Sequence, residues 1–198
     1  MATVSLFIIG VISLLLFPPT TTAYIYSEPS VIWRFVSFFT HMVSHGGWAH
    51  LLGNFMFGFP YMFYLEYKLK STKKFIRTFV FFGGAALLTQ ILFDMFALFK
   101  PLGLIGSSGA IFGVTGAVLM GYRGPKPIEL TAKALLIFHI VTQAQAAYYN
   151  LTYPIGVASG AHLGGLLAGV WFSNRHLNPG PNHFQKLLRG LRRFLPKR

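Results

Sequence analysis

Ser108 lies in the run GLIGSSGAIFG, Gly103 to Gly113, where two serines stand among closely spaced glycines. The flanks are Leu, Ile, Phe and Val rather than charged residues. A serine hydroxyl is a weak nucleophile until a base takes its proton and donors receive the oxyanion that forms. His162, in ASGAHLGGLLAGV, is the natural base. Its neighbours are nearly all small, which lets one helix approach another closely. His50 and Asn54, in HLLGN, are spaced i, i+4 and share one helix face, from which both can donate to an oxyanion. Ser108 at a helix start would add unpaired backbone N–H groups and the positive end of the helix dipole. Of the acidic residues, Glu66 lies beside a basic cluster, Asp94 near the far end of its helix, and Glu28 and Glu129 in loops. A Ser–His–Asp triad is therefore not expected, and a Ser–His dyad is.

Composition says in what solvent these residues must be held. Of 198 residues, 54% are hydrophobic and 11% charged, and long apolar runs are broken by short basic clusters. That is the pattern of a multi-pass membrane protein. The net charge of +13 does not point to nucleic acid, because the basic residues are grouped rather than spread over a folded surface. They fall between Lys68 and Arg77, between Arg123 and Lys133, and from Arg175 to Arg198, with only Arg34 and Lys100 elsewhere. Alternate loops are thus basic, as the positive-inside rule expects of a cytoplasmic face. There is no cysteine, which removes disulfides, thiol nucleophiles and Cys-based metal sites.

The sequence predicts an all-α, polytopic bundle of six transmembrane helices, over about 3–18, 49–66, 76–98, 106–122, 131–149 and 156–174. Residues 1–174 form the membrane domain and 175–198 a basic C-terminal tail. In that tail Phe184, Leu187, Leu188, Leu191 and Leu195 share one stripe, suited to an anionic membrane surface; the alternative is an unstructured basic tail. Six spans put both termini on the cytoplasmic, matrix or stromal side and leave 19–48, 99–105 and 150–155 opposite. The first span has Thr21 and Ala23 where a signal peptide would be cleaved, but it lacks a basic start and is read as a membrane helix.

Depth can be measured along these helices at ~1.5 Å per residue. Ser108 precedes Arg123 by about 22 Å, His162 precedes Arg175 by about 20 Å, and Asn54 precedes Lys68 by about 21 Å. Three separate helices place Ser, His and Asn at one depth. The helix that Ser108 opens is short for a ~30 Å hydrocarbon layer and begins inside it. The irregular backbone before it must then be shielded by protein or line a wet cavity.

At these residues the chain resembles the rhomboid intramembrane serine proteases. Gly106-Ser107-Ser108-Gly109 matches that family's G-x-S-G, and Ala161-His162 with Gly165 and Gly169 matches its A-H-x-x-G-x-x-x-G. His50 and Asn54 match its H-x-x-x-N, and Trp33-Arg34 matches the Trp-Arg pair of its large first loop. The histidines of THMVSHGGWAH repeat that loop's spacing. The resemblance implies a six-helix bundle that hydrolyses peptide bonds in or near the transmembrane helices of other membrane proteins. It implies Ser108 as nucleophile, His162 as base and acid, and His50 and Asn54 as oxyanion donors. One departure is Phe112, where the best-known members have Tyr one turn after the nucleophile. Stacking on His162 would survive that change, but a hydroxyl hydrogen bond would not.

Plainer roles compete with these. Ser108 among glycines can be a packing face, and His162, His50 and Asn54 can be polar links between helices. His41, His45 and His50 are spaced so as to suggest a metal, but no carboxylate or thiol completes a set, and no metal or cofactor is expected. Trp33 and Arg34 read as an aromatic and a cationic anchor at the interface. The expected partners are membrane lipids, transmembrane protein substrates and a membrane-protein complex. The rival function is a catalytically idle rhomboid-like subunit that scaffolds such a complex. A transporter or channel is disfavoured by the lack of an inverted repeat and of intramembrane carboxylates.

Overall fold

The computed structural model describes residues 1–19, 23–24, 30–98, 103–153 and 156–177. They form seven α-helices: α1 (Ala2–Leu16), α2 (Val31–Thr40), α3 (Trp48–Leu69), α4 (Thr72–Asp94), α5 (Ser108–Gly121), α6 (Lys126–Asn150) and α7 (Ser159–Phe172). A π-helical turn, Ser173–Leu177, continues α7. Among the described residues there is no strand, only an isolated bridge between Tyr24 and Leu104. Of the basic tail expected over 175–198, residues 175–177 belong to that π-helical turn and the rest lies outside the described residues.

The chain is an all-α membrane bundle. α4 is long and apolar enough to cross a bilayer, while α1 and α5 are apolar but shorter. With 14 residues, α5 rises only about 21 Å, less than the hydrocarbon thickness. The flanks of the helices carry exposed Ile8, Ile12, Met56, Leu88, Leu92, Ile137 and Phe138. An apolar exterior of this kind belongs against lipid, which is as apolar as these side chains.

Two differences from the sequence expectation have local causes. α4 begins at Thr72 rather than near 76, because Ser71 caps it by accepting the N–H of Lys74 at 3.3 Å. The 19–48 segment contains α2, a helix of ten residues started by the Ser30 cap. It has Val31, Ile32, Trp33, Phe35 and Phe39 exposed and Ser37 buried. It is too short to register as an apolar span.

α5 is the central helix. Ala110, Ile111, Val114 and Ala117 are buried, and α3, α4 and α7 all pack against it. α6 lies outermost, on α7 and α5, with only Ala132, Leu136 and Ala147 buried. α1 packs on α3 through Phe7, whose ring meets Phe55 and Phe59 edge-on at 5.1 and 5.6 Å.

Glu66 ties α1 to α3. Its carboxylate accepts the N–H of Ala2 at 2.6 Å, the N–H of Thr3 at 3.0 Å and the hydroxyl of Thr3 at 2.7 Å. It thereby satisfies orphan donors at the N-terminus of α1, where the helix dipole favours a negative charge. Charge-assisted bonds of this kind are the stronger class. Glu66→Gln should cost about 2 kcal/mol of folding free energy, read as a lower unfolding midpoint in detergent. An unchanged midpoint would mean that the α1–α3 contact does not rest on the carboxylate.

Candidate active site

Ser107 and Ser108 begin α5, and the turn before them is made by Gly106. Gly106 has φ +107°, and a Cβ there would press on the His50 ring at 2.8 Å, so any side chain would be strained and crowded. The Gly106 N–H donates to the His41 carbonyl at 2.8 Å, which fastens the turn to the 41–47 loop.

The two serines have different surroundings. Ser107 is the N-cap residue but makes no side-chain cap. It is buried, and its hydroxyl lies 3.2 Å from His45 Nε2. His45 Nδ1 lies 3.1 Å from the Val43 carbonyl, so it carries the ring proton and Nε2 accepts from Ser107. Ser107 is thus committed to holding the loop. Ser108 is only half-buried, and its Oγ lies 2.9 Å from His162 Nε2.

His162 stands in the first turn of α7, where its N–H makes a helical bond to the Ala158 carbonyl. That turn has no side-chain cap of its own. Gln90 supplies one from α4, its Oε1 accepting the Ala161 N–H at 2.9 Å while its Nε2 donates to Asp94 at 2.7 Å. Phe112, one turn into α5, stacks on the imidazole with ring centres 4.4 Å apart and planes 19° apart. His162 Nδ1 lies 3.0 Å from Gln143 Oε1 on α6.

Glycines set the distance between α5 and α7. A Cβ at Gly165 would run into the Gly109 carbonyl, and one at Gly169 into the Gly113 carbonyl. The two backbones therefore touch along the helices that carry Ser108 and His162.

His50 and Asn54 face the same place from α3. The Gly46 N–H donates to His50 Nδ1 at 3.2 Å, which leaves Nε2 as that ring's N–H donor. Asn54 Nδ2 is buried and has no hydrogen-bond partner among the described residues. Both side chains line a cavity of about 480 Å³ together with Gln90, Asp94, Ser108 and His162. Its remaining walls come from 103–105 and Asn150, in segments expected opposite the basic face, and from 156–158, expected to begin the sixth span. A second cavity of about 450 Å³ opens from the same Ser108, His162 and Asn54 between α3 and α6, and is walled by Phe57, Phe112 and Phe138.

The other residues singled out from sequence lie apart. Trp33 and Arg34 are exposed on α2 and line neither cavity. His41 and His45 each turn Nδ1 to a backbone carbonyl, His41 to that of Ser37 at 3.0 Å. Among the described residues no cluster of three metal-ligating side chains occurs. Sequence reasoning passed over Gln143 and Gln90. A polar residue inside the apolar stretch of α6 was the available signal for the first.

His41 and His45 lie in the loop, outside the spans, and burial pushes both from 6.5 to about 4. They are neutral in the folded protein between those values, whereas the unfolded chain binds protons there. Their contribution to stability is complete above about pH 6.5 and is lost as pH falls toward 4. Unfolding midpoints measured across this range should fall with acid, and His41→Gln and His45→Gln should each flatten the slope. Equal slopes in parent and variants would assign the acid sensitivity to other groups.

A hydroxyl, an imidazole and the side chains of His50 and Asn54 thus converge on one cavity within a helical bundle of apolar exterior. Residues 30–177, most of the chain and all of the elements that build this cavity, match the family model of the rhomboid domain, and the chain belongs to the rhomboid family of polytopic membrane proteins.

Proposed function

We propose that the chain is an intramembrane serine protease that cleaves transmembrane segments of other membrane proteins. The observation that carries this is the 2.9 Å approach of Ser108 Oγ to His162 Nε2, at the first turns of two helices in backbone contact. Ser108 attacks the scissile carbonyl carbon and gives its proton to Nε2. The oxyanion that forms is met by Asn54 Nδ2, by His50 Nε2–H and by the unpaired N–H groups at the start of α5. His162 then protonates the leaving amine as the C–N bond breaks. Water, activated by the same imidazole, releases the acyl group from Ser108. The polar cavity supplies that water, and the phenylalanine-walled cavity suits an apolar substrate segment.

The direct experiment is labelling of the purified protein by a fluorophosphonate, with Ser108→Ala as control. Labelling that depends on Ser108 supports the protease. An inert Ser108 in a folded protein would favour the idle scaffolding subunit. Lipids and transmembrane substrates are the partners this function requires, and the basic tail fits an anionic membrane surface. We also propose that both termini face the cytoplasmic, matrix or stromal side across six spans. Cysteines placed at Lys73 and Lys126 should then react from one side of the membrane and one at Thr152 from the other. Reaction of all three from a single side would sink the six-span topology.

A further inference from the structure

His162 is held through both ring nitrogens. Nε2 faces Ser108 Oγ at 2.9 Å, and Nδ1 faces Gln143 Oε1 at 3.0 Å. A neutral imidazole carries one ring proton, and the partner of each nitrogen decides where it sits. An amide oxygen only accepts. Against Oε1 the proton therefore belongs on Nδ1, and Nε2 is left with its lone pair toward the serine. The opposite tautomer would set two lone pairs against each other across the Nδ1 contact and would present an N–H to Ser108, which then could not lose its proton to the ring.

We infer that Gln143 is a positioning residue that, through its amide oxygen, selects the Nδ1–H tautomer of His162 and makes Nε2 the proton acceptor. It fills the place a carboxylate takes in a triad. Its consequence for chemistry rests on the protease reading; the tautomer rests on geometry alone. Stacking on Phe112 holds the ring plane, so the Nδ1 bond has only to fix rotation within that plane. The ionisable groups around the ring are His50 from α3, Asp94 from α4 and His139 from α6, and none of them hydrogen-bonds Nδ1. When Nε2 takes the serine proton, the Gln143 dipole remains aligned with Nδ1–H and stabilises the imidazolium.

The test uses the full chain in detergent. In the Ser108→Ala protein carrying ¹⁵N-histidine, the His162 signals, assigned by their loss in a His162→Asn version, should report Nδ1–H. Adding Gln143→Met, similar in size but without the acceptor, should shift population toward Nε2–H. With Ser108 present, a fluorophosphonate reads the same proton transfer: the Oγ–P bond forms, P–F breaks, fluoride leaves, and the serine proton goes to Nε2. Gln143→Met should slow labelling at saturating probe by about 10- to 100-fold, with probe affinity unchanged. Gln143→Glu restores an acceptor oxygen and should return the rate to within a few-fold of the parent. A residue that only filled space would not give that rescue. An Nε2–H tautomer in the Ser108→Ala protein, or a Gln143→Met rate equal to the parent's, overturns the inference. If the parent does not label while the ring holds Nδ1–H, the protease reading falls and the tautomer assignment stands. Should Gln143→Met fail to fold, the tautomer in the Ser108→Ala protein decides alone.

Discussion

Ser108→Ala should lower hydrolysis of a transmembrane substrate by roughly 10⁴-fold or more and end fluorophosphonate labelling, and His162→Ala should do nearly the same. The double variant should lose little beyond either single one, because nucleophile and base act as a unit. The loss should come without a drop in the unfolding midpoint for Ser108→Ala, since the half-buried hydroxyl and His162 both line the two cavities, where water can replace the lost bond. Ser107→Ala gives the opposite pattern. It strips the proton donor from buried His45 Nε2, so it should lower the midpoint while labelling continues. Asn54→Ala should fall between, at about 10²- to 10³-fold, because its buried, unpartnered Nδ2 is placed to serve only charge that develops during the reaction. Labelling that survives Ser108→Ala and vanishes in Ser107→Ala would move the nucleophile one residue back and remove the basis for the mechanism.

What the sequence made legible follows from what each residue depends on. Ser108, His162 and Asn54 could be placed at one depth because helix rise is fixed and the basic clusters mark a common plane. The stacking of Phe112 on His162 was an expectation of the family resemblance rather than of periodicity, and the two ring centres lie 4.4 Å apart. The membrane bundle was legible from apolar runs. α2 was not, because ten residues with one amphipathic face leave no such run. The partners of Glu66 and His162 were not legible either. Thr3 lies 63 residues from Glu66 and Gln143 lies 19 from His162, and no periodicity within one helix says which face will meet another. Gln90 capping α7 is of the same kind, a side chain on one helix completing the end of a second.

The packing of α5 on α7 yields the other large effect. Gly169→Val should destabilise the fold by ~3 kcal/mol or more, at or beyond the upper end of ordinary overpacking. The reason is the atom that would be struck. A Cβ at Gly169 meets the Gly113 carbonyl oxygen, one at Gly165 meets the Gly109 oxygen, and one at Gly116 on the facing helix meets the Leu166 oxygen. Each is backbone within a helix and cannot rotate aside as a side chain would. The helices must separate, and in lipid no hydrophobic force returns them, because contact itself supplies the association. Separation also carries Ser108 away from His162, so labelling should fall together with the unfolding midpoint. This distinguishes Gly169→Val from Ser108→Ala, which should remove labelling alone. Leu167→Val, on the exposed side of α7, should change stability by no more than about 0.5 kcal/mol. If Gly169→Val unfolds with the parent, the carbonyl-to-glycine contact does not hold α5 against α7, and the 2.9 Å approach of Ser108 to His162 must be maintained from the other side, by Gln143 and Phe112.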